Sequence, residues 1–94
     1  MRANEIKIQG GKAKFERRIN DTFIPMEMEL EVGQGVRHVL EHVTGMEVTG
    51  MVDTGDNGSQ IIHLSANGRR FKVPAYFSTN GFIRVTLHNM QEMN

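Results

Sequence analysis

The chain contains no cysteine. That removes disulfides, thiolate metal sites and cysteine nucleophiles together, and leaves no redox compartment to read. No apolar run approaches the ~20 residues of a membrane-spanning helix. The opening Met1-Arg2-Ala3-Asn4-Glu5 leads into an alternating segment rather than an apolar leader core. These features predict a soluble, unprocessed, cytoplasmic protein with no membrane partner. Catalytic signals are equally sparse. Ser59, Ser65 and Ser78 lie in turn or strand contexts without a G-x-S-x-G elbow, and no glycine-rich loop precedes a helix as a phosphate cradle requires. There is no internal repeat, linker or low-complexity segment. The expectation is a protein that is not an enzyme and carries no cofactor.

The 94 residues predict one small globular domain over 1–94. A chain of this size buries roughly 60 to 65% of its unfolded surface, enough for one modest core. Its seven Met share core filling with five Phe. The net charge is zero, but residues 1–20 carry +4, residues 21–56 carry −7 and residues 57–91 carry +4. Such blocks either neutralise one another in the fold or leave a basic face for an anionic partner.

Three Asn-Gly dipeptides, Asn57-Gly58, Asn67-Gly68 and Asn80-Gly81, separate short apolar stretches in the C-terminal half. Asn-Gly supplies the two successive positive φ angles of a type I′ turn, so this half reads as a β-meander. Its strands are expected at Met46–Asp53, Ser59–Ser65, Arg70–Phe77 and Phe82–His88. Upstream, Ile6 and Ile8 alternate with polar residues in a strand ended by Gly10-Gly11. The stretches Ala13–Ile19 and Phe23–Leu30 form a hairpin closing at Asn20-Asp21. If Ile19 faces Thr22, Phe15 meets Met26 and Ala13 meets Met28 on an apolar face, while Lys14 meets Glu27 and Lys12 meets Glu29 on the other. That agreement predicts Phe15, Met26 and Met28 buried together; Arg17 is the exception on the apolar face.

Between Gly33 and Gly45 the period changes. Val36, Val39, Leu40 and Val43 fall at i, i+3, i+4 and i+7, the stripe of a short helix that Gly45 ends. In the meander, closing at Asn67-Gly68 pairs Leu64 with Phe71 and Ile62 with Val73. A two-residue turn at Asn80-Gly81 instead opposes Phe71, Val73, Ala75 and Phe77 with Arg84, Thr86 and His88. Pro74 sits at that conflict and marks a bulge, an edge or a corner.

Four constellations carry possible chemistry. His38-Val39-Leu40-Glu41-His42 resembles the H-x-x-E-H pattern of inverted zinc peptidases, over these five residues alone. Those enzymes need a third acidic ligand on another helix, for which this chain has no room, and a solvated helix face explains the same residues; no metal is expected. Asp53-Thr54-Gly55-Asp56-Asn57-Gly58 resembles the opening of a calcium loop, but Gly55 and Leu64 stand where ligands belong, so a hairpin turn is expected. Glu27, Glu29 and Glu31 form an acidic row that could meet a protein partner. Arg69, Arg70, Lys72, Tyr76 and Arg84 interleave cations with aromatic residues, as single-stranded nucleic acid binding requires, although alternation puts Phe71 on the face opposite Arg70 and Lys72.

The whole is read as α+β and mostly β. It is a small antiparallel sheet or partly open barrel of six to seven short strands, with one short helix at about residues 35–44 inserted after the third strand. The OB-fold also puts its helix between third and fourth strands, but it has five strands, so the likeness is one of order only. The expected function is a non-catalytic binding module acting on a protein partner or on itself as a homo-oligomer, with Glu27, Glu29 and Glu31 at the interface. The alternative is a small nucleic-acid-binding protein using residues 69–84.

Overall fold

A computed structural model describes residues 4–94. Met1, Arg2 and Ala3, which open the basic N-terminal block, lie outside the described residues. The element order is β1 (Glu5–Gln9), β2 (Lys12–Ile19), β3 (Thr22–Glu29), α1 (Val36–Thr44), β4 (Glu47–Asp53), β5 (Ser59–Ala66), β6 (Arg69–Phe77), β7 (Ile83–Thr86), a 3-10 turn (Leu87–Asn89) and β8 (Gln91–Met93). All pairings are antiparallel, in the order β3-β2-β1-β7-β6-β5-β4, with β8 beside β6. The chain is therefore two meanders joined where β1 pairs β7. The sheet stays open and β3 and β4 are its edges, so the barrel alternative is set aside and the strand count rises to eight.

The β2–β3 hairpin adopts the register that its side chains demand, from Ile19↔Thr22 to Lys12↔Glu29. Asn20 and Asp21 both take positive φ, 50° and 66°, as the short turn requires. The same geometry closes β5–β6, where Asn67 (φ 54°) and Gly68 (φ 77°) set Leu64 against Phe71 and Ile62 against Val73. It also closes β1–β2 at Gly10-Gly11, so Gln9 faces Lys12.

The other two Asn-Gly pairs do not form such turns, because only their glycines take positive φ. The β6–β7 connection spans Ser78 to Phe82, closed by the Ser78 N–H donating to the Phe82 carbonyl at 2.8 Å. The Phe82 N–H donates in turn to Ser78 Oγ and Asn80 Oδ1. This longer loop shifts the register by one residue relative to a turn at Asn80-Gly81. Ala75 now meets Val85 and Phe77 meets Ile83, which removes the expected conflict of faces.

Pro74 also finds its reason. The Phe77 N–H donates to Gly58 in the connection to β5, so odd residues of β6 direct their N–H groups to that side. Pro74 lacks its donor on the opposite side, in the gap between β7, which pairs from Ala75, and β8, which pairs up to Lys72.

Helix α1 begins without a side-chain cap and ends at Gly45, whose φ of 72° lets its N–H reach the Glu41 carbonyl. Its Val36, Val39, Leu40 and Val43 are buried in one cluster with Ile6, Ile8, Phe15, Val48, Ile62, Leu64, Val73 and Val85. Glu41 ties the helix to the sheet, its Oε2 accepting the Val48 N–H at 2.9 Å. One residue later β4 carries a bulge between Val48 and Gly50. Among the described residues, no helix is long and apolar enough to cross a membrane.

Candidate interaction surfaces

The nine residues of α1 make a rod about 13 Å long, whereas seven strands spread over about 29 Å. The helix therefore cannot cover the whole core-side face, and the uncovered part is the β2–β3 arm. Met26, expected inside with Phe15, is 38% exposed, and Met28 is half-buried. Ile24 and Ile19 lie on the same face as Met26 and are also exposed, while exposed Phe23 lies on the other face beside Arg18. Arg17 stands opposite Ile24, its guanidinium 5.8 Å from the Phe15 ring centroid. Its Nε is buried without a hydrogen-bond partner among the described residues.

The strand edge beside this arm is guarded. Leu30 donates its N–H to Gly11 at 2.8 Å, so even residues of β3 point their N–H groups at β2 and odd residues point outward. Pro25 falls on the outward set, with no donor, and is followed there by the charged Glu27 and Glu29. Proline and charge on an edge are how sheets resist unwanted strand addition.

The acidic row is split by the fold. Glu27 and Glu29 are exposed on the outer face of β3, and Lys12 reaches Glu27 at 3.3 Å, diagonally across the ladder. Glu31 lies beyond the strand, where its N–H donates to Gln34 Oε1 at 2.9 Å.

The basic and aromatic set is sorted differently from its sequence order. Arg70, Lys72, Tyr76 and Arg84 share the outer face. Arg69 does not: it forms a two-pronged contact with Glu92 at 2.8 and 2.5 Å and lies 5.4 Å from the Phe71 centroid. That hydrogen bond holds the Glu92 carboxyl below its usual range and raises Arg69. The register brings Lys7 and Lys14, which the sequence set did not include, beside Arg84 on the outer face. Lys7 stands between Lys14 and Arg84, and Arg84 stands opposite Tyr76. Reading Gly10-Gly11 as a hairpin turn would have placed Lys7 opposite Lys14; the β1–β7 pairing has no local signal.

His38 and His42 are exposed on α1, while Glu41 is engaged by β4. Among the described residues, no three potential metal ligands come together. The segment resembling a calcium loop is a turn, in which Asp53 Oδ1 accepts the Gly55 N–H. A depression lies on the outer face of β1–β3, lined by residues that include Glu5, Lys7, Lys14, Glu16, Glu27 and His88. No known protein family, curated protein or solved structure matches the chain.

Proposed function

We propose that the protein is a non-catalytic binding module that docks on a protein partner, or on a second copy of itself, through the β2–β3 arm. The observation that carries this reading is the run of large apolar side chains left bare on its core-side face, Ile19, Ile24 and Met26, with Phe23 bare on the opposite face. Contiguous apolar surface on a small domain is costly in water and marks interaction sites. Continuity with the core at Phe15 and Met28 gives the patch a rigid base.

The mode of docking follows from the edge. Pro25, Glu27 and Glu29 oppose an added strand, so recognition falls to side chains on the arm's faces rather than to backbone pairing. Arg17, half-buried opposite Ile24, adds a cationic side chain to the same face. Glu27, Glu29 and Glu31 then form a polar rim that sets approach rate and orientation more than affinity.

Photocrosslinking tests this. A benzophenone amino acid at Ile24, in the protein expressed in its own cells, is expected to yield one discrete adduct, whereas the same probe at His38 on α1 yields none. Equal or diffuse adducts from both positions would refute docking through the arm.

A further inference from the structure

We propose that the outer face of the sheet binds single-stranded nucleic acid across a lateral row formed by Lys14, Lys7, Arg84 and Tyr76. This site lies apart from the apolar ledge of Ile19, Ile24 and Met26, which occupies the core-side face, so either reading can fail without the other.

The first argument is a cost the fold tolerates. Like charges directly opposite each other destabilise a ladder. Here Lys14 faces Lys7 and Lys7 faces Arg84, on three adjacent strands. None of the three joins an ion pair among the described residues, and Glu27, the cross-strand neighbour of Lys14, is taken by Lys12. Glu5, Glu16 and Glu27 lie on the same face but none closes an ion pair with these three cations among the described residues, so the cations remain open to an anion from outside. Local rules broken without internal compensation are where function is sought.

The second argument is shape and chemistry. At the spacing of neighbouring strands, three cations fall within about 10 Å, so a phosphodiester chain laid across the strands meets one cation per strand. The row ends on Tyr76, an aromatic exposed on this face. The Arg84 guanidinium lies 5.8 Å from the Tyr76 ring centroid, and phenol and guanidinium together offer planar surfaces on which an unpaired base stacks. Gly58 makes room for that ring: a Cβ there would stand 2.9 Å from Tyr76 Cε1. Lys72 and Arg70 continue the positive surface along β6 on the same face. A duplex keeps its base faces stacked inside, so the aromatic end of the row favours a single strand.

The test is fluorescence anisotropy with a labelled oligothymidylate of about 12 nucleotides, titrated between about 50 and 200 mM salt. Wild-type protein is expected to bind with a steep salt dependence. Lys7→Gln, Lys14→Gln and Arg84→Gln should each weaken binding and reduce the log–log salt slope by about 0.7, the share of one single-strand phosphate. Tyr76→Leu should weaken binding about tenfold at unchanged slope. Arg37→Gln, on α1, should change nothing. Because the row is self-repelling, Lys7→Gln should keep or raise the urea midpoint while it loses affinity. No wild-type binding, or a slope indifferent to all three cations, would overturn the proposal. So would equal binding to duplex or phosphatidylserine vesicles that ignores Tyr76→Leu, or a lowered urea midpoint for Lys7→Gln.

Discussion

Gly58 shows how one residue serves both a turn and a surface. Its φ is +83°, and an added Cβ would meet the Phe77 carbonyl oxygen at 2.6 Å, where backbone cannot yield. Gly58→Ala is therefore expected to destabilise the domain by more than about 1 kcal/mol in urea denaturation, beyond the usual gain from a stiffer unfolded chain. Leu40 makes the complementary case inside the core. It is fully buried, so Leu40→Ala should cost about 2 to 5 kcal/mol by the same measurement, and a loss under about 1 kcal/mol would mean the helix is not packed as described. The valine stripe of α1 was legible because packing and spacing agree. The exposure of Met26 was not, because a hairpin's own pairing says which residues share a face and nothing about how far the helix extends above them.

At the scale of elements, β3 and β8 behave differently from the rest. Replacing Pro25 by Thr restores an outward N–H on the β3 edge, and light scattering is expected to show a larger mass than wild type at equal concentration. An unchanged mass would mean that Glu27 and Glu29 alone guard the edge.

Strand β8 is held to β6 by the Arg69–Glu92 pair as well as by its ladder. Since the folded-state pKa of Glu92 is lowered by the hydrogen bond from Arg69, its contribution is present above the unfolded value and lost as pH falls through the folded one. Both groups are exposed, so the effect is local. Amide protection of Gln91–Met93 should fall in acid, and Glu92→Gln should produce the same fall at neutral pH.

Hairpins with two-residue turns were readable because positive-φ residues and cross-strand pairs specify one register together. The β6–β7 loop was misread because Asn80-Gly81 satisfies the turn signal locally while Ser78 and Asn80 side chains close a wider loop. Strand β8 was missed because the corner at Leu87–Asn89 contains neither glycine nor proline.

At the scale of the whole molecule, the sheet is wider than α1 can cover, and the uncovered arm exposes Ile19, Ile24 and Met26. The charge blocks read from sequence are dispersed by the topology: the first and third share the outer face through Lys14, Lys7 and Arg84, while part of the acidic block is paired at the edge. That dispersal was not legible, since it depends on β1 joining β7 across nearly the whole chain. The most direct measurement of docking through the arm compares stability with association in a Phe23→Ser, Ile24→Ser double variant, using urea denaturation and crosslinking from a benzophenone at Met26. The expected result is an unfolding free energy within about 0.5 kcal/mol per site of wild type, as for exposed positions, together with loss of the crosslinked complex. A collapse in stability with crosslinking intact would contradict it, because those side chains would then serve the core and not a partner.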